Sequence, residues 1–496
     1  MIFPISFDAS LRAFGVAVLA AGLLAGCAAP QLGARPEPRS PAAIAAARSL
    51  PGTPGAAWPG EGWWKDYGDP QLDALIAEGL AASPDVAAAS ARFAKAAALA
   101  RQSGAARLPT LDAGGRVTLE KQSLNMGFPP AFVAFLPQGW NDAGQLSANL
   151  GFDLDLWGRN RAAYAAATSD MRAAALDAQA ARLMLAAGIA SAYADLARLF
   201  AERDLRARQL EVATSSRTLL AQREASGLEN RGGVAVSEGE VANARIALSQ
   251  AEESLALRRN QLAALVGSGP DRGLAIEVPR LAPAALRALP EDVTINLVGR
   301  RADVIAARQR VESAASRIKG ARADFYPAVR LNALFGVQSL GLGLLFDKDS
   351  TFGSVGPAVS LPVFHGGELK GRYEGARADY DAAVAAYDGT VLGAYQQAAD
   401  ALTTARMATA RLADARAALA AAQEGYDVIT RRYKAGLVTS LDVLQIEDRL
   451  IQARLGATGL ETIVRTADIA LARALGGGFA PAPDNNRLNT KETTHG

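Results

Sequence analysis

Few residues in this sequence have the types and spacing that chemistry on a substrate requires. Its 496 residues include two histidines, His365 and His495, and one cysteine, Cys27. His365 sits where a strand pattern gives way to a helix and His495 in a polar tail, so histidine triads and metal clusters have almost nothing to use. Ser316-Arg317-Ile318-Lys319 fits a Ser-x-x-Lys string, which in an acyl-transfer site pairs a nucleophile with a base. Here it falls inside a charged helical run, where such a spacing arises by coincidence. Gly341-Leu342-Gly343 lacks the continuation that would cradle a phosphate. Five methionines and two histidines provide no trail of soft ligands for copper or silver. With 52 basic and 50 acidic residues, a net charge of +2, there is no electrostatic footprint for nucleic acid. No enzyme and no bound cofactor are expected.

The cysteine has a different chemistry. Residues 13–24 are an apolar run too short to span a bilayer as a helix but of the length of a signal-peptide core. Leu24-Ala25-Gly26-Cys27 ends it and resembles a bacterial lipoprotein signal. The resemblance implies removal of residues 1–26 and covalent lipid, N-acyl and S-diacylglycerol with palmitate among the chains, on Cys27. Ala28 rather than Asp follows, which implies sorting to the outer membrane of a Gram-negative cell. The other reading makes Cys27 a small apolar residue of an ordinary signal peptide. Residues 27–68 then read as a lipidated tether, rich in Ala, Pro, Gly and Arg and without a core from 28 to about 59, before the aromatic cluster Trp58, Trp63, Trp64 and Tyr67, which reads as packing.

The elements that follow are set by a change of period. Leu146, Ala148, Leu150, Phe152, Leu154 and Leu156 alternate with Gln145, Ser147, Asn149, Gly151, Asp153 and Asp155, a strand with one greasy and one wet face. An alanine-rich helix of about 67 residues takes over at once, roughly 100 Å long at 1.5 Å per residue. The same switch recurs at Val355, Val359, Leu361 and Val363. Ahead of each switch a helix ends at a proline, and Asp85 and Arg92 match Asp303 and Arg310 at a constant offset of 218. A first strand follows each proline: Leu111, Ala113, Gly115, Val117 and Leu119, then Val329, Leu331, Ala333, Phe335 and Val337. Between the paired strands lie loops, the first carrying Phe128, Phe132, Phe135 and Trp140. Both long helices break at a glycine, Gly227 and Gly436, before a returning helix of about 35 residues. The chain is thus an internal duplication: a first repeat over 69–268, a linker over 269–290, a second repeat over 291–477, and a polar tail over 478–496.

Strands of about ten residues suit a tilted membrane barrel, but four cannot close one, since the smallest common barrel has eight. An open edge in lipid leaves N–H and C=O groups unsatisfied. Chains must therefore share a barrel. Two would fill its interior with side chains, whereas three would give twelve strands and an aqueous lumen, with Gln145, Asn149, Asp153 and Asp155 toward water and Trp157 at the collar.

Cys27, the stretch WWKDYGDPQLDALIAEGLAASPDV, the switch LDLWGRNRAA and the segment RRYKAGLVTSLDVLQIEDRL together resemble the outer-membrane efflux ducts, the TolC and OprM-type (NodT-type) outer membrane factors, over nearly all of 27–478. The resemblance implies a mainly α fold with membrane β, in which a homotrimer forms a 12-stranded β-barrel in the outer membrane and an α-helical barrel in the periplasm. It further implies a periplasmic adaptor, an inner-membrane transporter of RND type, and passive export of drugs or other small molecules. Family hairpin tips carry Arg-x-x-x-Gly-x-x-Ser/Thr and meet the adaptor; Arg432, Gly436 and Thr439 fit, while Arg223 and Gly227 fit with Asn230 in the last place. Each glycine also reads as an ordinary helix cap. Asp442 matches the family's ring of aspartates at the periplasmic gate, with Gln445 where some members have a second acid, and it also reads as a first-turn acid favoured by the helix dipole. Export of a secreted protein, or a non-conducting coiled-coil lipoprotein scaffold, are the rival functions. Cys27→Ser should release a soluble fraction on cell fractionation; unchanged membrane attachment would show that the strands alone hold the protein there.

Overall fold

A computed structural model describes residues 30–124, 129–133 and 135–479. Cys27, residues 1–26, Phe128 and His495 lie outside the described residues. The chain divides into two compact units. A strand unit comprises residues 30–37, 94–172 and 309–385, and a helical unit comprises 38–93, 173–308 and 386–479.

In the strand unit, β1 (Thr110–Glu120), β2 (Asn141–Asp153), β3 (Ala328–Leu340) and β4 (Thr351–Ser360) form one antiparallel sheet in the order β1-β2-β3-β4. Its register sorts the side chains into rows. Leu111 stands opposite Leu150, Leu150 opposite Ala333, and Ala333 opposite Val355; the next row runs Ala113, Ala148, Phe335 and Gly353. Because successive residues alternate faces, the other side carries Arg116, Gln145 and Gln338 in one row and Asp153 beside Arg330 in another. Among the strand positions of the apolar face only Asp142 is charged. It sits at the strand end, where its carboxylate accepts from the Leu342 N–H at 2.7 Å. Leu111, Phe335 and Val355 are each more than 70% exposed, so most of this face has no cover from its own chain, whereas Gly144 near one end is buried beneath Leu342 and Leu345. Phe132, Phe135 and Trp140 of the β1–β2 loop are also exposed.

Close strand contact requires one glycine in particular. A Cβ on Gly336 would collide with the Leu146 carbonyl and press on the Phe352 ring at 2.9 Å.

The alternation expected to run to Leu156 stops sooner. β2 ends at Asp153, and Asp155 adopts a left-handed φ of 44°, the only non-glycine residue to do so among those described. The reason is the following helix, α3 (Arg159–Ala225), whose first N–H groups need acceptors. The Asp155 carboxylate takes the N–H of Asn160 and of Arg161, each at 2.9 Å. It is therefore a cap rather than a lumen-facing acid. Beside it the Trp157 indole donates to the Pro327 carbonyl at 2.8 Å and stacks on Tyr326, ring centres 4.7 Å apart.

The helices repeat in length as the duplication requires. α1 (Pro70–Ala82) leads into α2 (Pro84–Ala105), and α2 matches α5 (Ala302–Ala323) at 22 residues. α3 matches α6 (Glu368–Lys434) at 67, and α4 (Arg231–Leu265) matches α7 (Ser440–Ala474) at 35. One stretch of α3 is apolar enough in length and composition to cross a membrane. Its residues Ile189, Tyr193 and Leu196 are instead fully buried in the helical unit, against Trp63, Leu72, Leu75, Ile76, Leu262 and Ile469.

One expectation of loose chain is corrected. The segment read as a coreless tether buries Leu50, and Thr53 bridges to Pro290, while Trp63 and Tyr67 of the aromatic cluster are buried as packing residues should be. The 269–290 linker is stitched down by polar contacts. Asp69 accepts from the Arg280 N–H at 2.7 Å and from the Tyr193 hydroxyl at 2.7 Å. Asp468 on α7 is held by Arg287 at 2.9 Å and by the Tyr67 hydroxyl at 2.8 Å. Burial first, then the Asp468 charge, holds the Tyr67 hydroxyl well above its ordinary pKa, so it remains a donor. These acids are nearly inaccessible, Asp468 at 2% and Asp69 at 7%, and buried carboxylates demand such partners. A proline- and leucine-rich composition could not reveal them.

The sheet yields a direct test. Gly336→Ala should lose about 1–3 kcal/mol of stability through overpacking and reduce the folded, heat-modifiable band on an SDS gel. Gly114→Ala, whose Cβ would meet nothing within 4 Å, should keep it. Equal behaviour would refute the strand pairing described.

Candidate functional site

The sequence candidates gather at two helix–turn–helix tips in the helical unit, and each tip is built by capping. α3 ends in a Schellman motif: the Gly227 N–H donates to the Glu224 carbonyl at 2.9 Å and the Leu228 N–H to the Arg223 carbonyl at 2.8 Å. α6 ends identically, Gly436 donating to Tyr433 and Leu437 to Arg432, both at 2.9 Å. The glycines take φ of 72° and 71°, a region costly for any side chain. Three residues after each glycine comes the N-cap of the returning helix. The Asn230 side chain accepts from the Gly233 N–H at 3.0 Å, and the Thr439 hydroxyl accepts from the Asp442 N–H at 3.3 Å. The Arg-x-x-x-Gly-x-x-Asn/Thr spacing is thus the spacing of one C-cap and one N-cap joined by the shortest turn that fits both. Asn230 in place of Ser or Thr changes nothing in that geometry, because asparagine caps as well.

Asp442 completes a capping box. Its Oδ2 accepts from the Thr439 N–H at 2.8 Å and the Thr439 hydroxyl at 2.6 Å. These hydrogen bonds, the side-chain one first, hold its carboxyl below the ordinary 3.8. The structure therefore brings Thr439 and Asp442 together, and ties Arg432 through the main chain to Leu437, the residue after Gly436. Among the described residues no hydrogen bond or ion pair joins the 226–230 turn to the 435–439 turn.

Two features of this region escaped sequence reading. Leu228 and Leu437, each next to its tip glycine, are 69% and 67% exposed. Their shared place after Gly in both repeats was the available signal. Further along, α3 is tied to α7: Arg208 donates to Glu447 at 2.6 Å, and Gln209 to Asp448 at 2.9 Å. Glu447 is buried, and its hydrogen bond is the main cause raising the Arg208 pKa. Partners 239 residues apart have no signature in one sequence. Among the described residues no three His, Cys, Asp or Glu side chains group to hold a metal.

Thr439→Val should remove the hydroxyl that depresses the Asp442 pKa. A depressed carboxylate stabilises the fold above its unfolded pKa and stops doing so as pH falls through the folded value. Amide protection at the start of α7 should therefore fall below about pH 4 in the wild type and depend less on pH in the variant. Identical pH profiles would remove Asp442 from the cap.

Comparison with known proteins gives a consistent result. The family described as outer membrane efflux protein matches residues 75–268 and 296–477. The fusaric acid resistance protein FusA of Burkholderia cepacia is 37% identical over 374 residues, covering 73% of this chain and 69% of its own. The multidrug resistance outer membrane protein MdtP of Escherichia coli O6:H1 is 29% identical over 435 residues, 86% of this chain and 88% of its own. Among solved structures, the outer membrane protein VceC of Vibrio cholerae superposes with a TM-score of 0.77 at 41% identity, over 85% of this chain and 100% of VceC.

Proposed function

The chain belongs to the outer membrane efflux protein family, and from that premise we propose that three copies join through the open edges of β1 and β4 into one twelve-stranded barrel. The protein is a channel of the outer membrane for efflux, of the TolC-like fold. The observation that carries the trimer is the sheet. Four strands present one face free of charge but for Asp142 at its rim, and a second face with Arg116, Gln145, Asn149 and Gln338. That division suits hydrocarbon on one side and water on the other. Its two outer edges must be paired in lipid, and three copies leave a lumen where two would not.

The lipid on Cys27 belongs to the same reading. The Gly33 and Ala34 carbonyls accept from Arg377, and the Pro36 carbonyl from the Tyr380 hydroxyl, both on α6 within about three and a half turns of its start after β4. A lipidated Cys27 six residues upstream of Gly33 can thus reach the leaflet at the periplasmic end of the strands. At the other end of the helices Arg223, Gly227, Arg432, Gly436 and Thr439 form the surface that meets a periplasmic adaptor, and Asp442 lines the periplasmic gate. Exposed Leu228 and Leu437 add apolar area for that contact. The inner-membrane partner is a transporter of RND type and the cargo is small molecules. The names of the relatives, resistance to fusaric acid and to multiple drugs, fit that class.

Purified protein should form a heat-sensitive trimer that conducts in planar bilayers, with Asp442→Ala raising resting conductance. Gly436→Pro should leave trimer and conductance intact yet fail to restore dye efflux to a deletion strain. Absence of conductance in the wild type would refute the channel trimer. Full efflux by Gly436→Pro would remove the tip from adaptor docking.

A further inference from the structure

At the junction of strands and helices the strand unit has two faces of different charge. Arg159 and Arg161 are two residues apart on α3, about 200° around a helix, and so serve opposite sides. Arg159 stands 3.6 Å from Asp153 and 3.7 Å from Asp324, and Arg372 is 3.3 Å from Asp324. Asp153 is also 3.7 Å from Arg330, its neighbour on the polar face of the sheet. This cluster of paired charges therefore continues the lumen side.

On the opposite side a cleft of about 530 Å³ opens between the start of α3 and the end of α5, lined by Trp157, Arg161, Ser316, Lys319, Arg322 and Tyr326. Its charges are not balanced. Lys319 and Arg322, one turn apart, are exposed, and their side chains make no hydrogen bond or ion pair with a described residue. Arg161 shares its charge with Asp155 at 3.3 Å. The stacked Trp157–Tyr326 pair forms one wall, with Trp157 52% exposed. Three residues beyond Tyr326 the apolar face of the sheet begins at Val329 and Leu331.

We propose that this cleft binds the phosphate headgroup of a phospholipid in the periplasmic leaflet of the outer membrane. Lys319 and Arg322 meet the phosphate, and the Trp157–Tyr326 pair lies at the boundary between headgroup and acyl chains. Unpaired cations and an amphipathic aromatic pair directly beneath a strand face whose only charge, Asp142, lies at the opposite strand ends are the chemistry such a lipid requires. A free phosphate ion would use the cations alone and leave the apolar wall without a partner. The site rests on the outer-membrane placement of the sheet and not on the number of copies around the barrel.

Full-length protein purified in detergent and titrated with phosphatidylglycerol, read by native mass spectrometry, tests this. K319Q and R322Q should each weaken lipid retention about five-fold, the effect of one charge near a lipid surface, and K319Q/R322Q more, while K319R/R322K retains it. The charge-conserving variant and the two single variants keep the test decisive if the double variant fails to fold. Wild-type retention by K319Q/R322Q would overturn the site, and complete displacement of the lipid by inorganic phosphate would overturn the lipid assignment. Wild-type protein that neither inserts into vesicles nor retains phospholipid would instead sink the membrane placement itself.

Discussion

In hydrocarbon a backbone N–H or C=O without a partner has no water to turn to, and each one left open costs several kcal/mol. The sheet of this protein pairs its inner strands completely and leaves two edges, on β1 and β4. That single constraint orders the rest. It obliges copies to close on one another and gives the register its two consistent faces. It also makes the strand ends fixed points from which the helices must depart. The Asp155 turn, with its unusual backbone and its carboxylate turned to the first N–H groups of α3, is how the chain leaves a sheet for a helix without abandoning a hydrogen bond.

At the helix tips, folding and the proposed docking surface draw on the same short segments but on different atoms. Gly227 and Gly436 sit where a left-handed residue must be, and Thr439 and Asp442 close a capping box. A docking surface and a cap can coexist because the cap consumes main-chain groups and one carboxylate oxygen. The arginine side chains and the exposed leucines remain available. An acid already bound by Thr439 also stays ionised to lower pH than a free one.

Much of this was legible in the sequence because periodicity is a local property. The two-residue alternation of Leu111 through Leu119 and of Val329 through Val337, the long helices and their glycine breaks all appeared in single windows of chain, and the duplication confirmed each by its twin. The strand that ended at Asp153 instead of Leu156 shows where such reading stops. Leu154 and Leu156 keep the alternation, but the demand of α3 for caps overrides it. The Arg208–Glu447 pair and the Tyr67–Asp468–Arg287 cluster join positions hundreds of residues apart, and nothing local marks them. The linker's contacts stay hidden for the same reason: its residues carry ordinary loop composition while their partners lie in other elements.

That linker also bears on the history of the chain. A duplicated gene begins as two interchangeable copies joined by a neutral connection. Here the connection supplies the Arg280 main-chain N–H to Asp69 in the first half and the Arg287 guanidinium to Asp468 in the second, so it is part of the packing of both. Cutting that connection would take from Asp468 its guanidinium partner, while Asp69 would keep the Tyr193 hydroxyl and the Gln71 N–H.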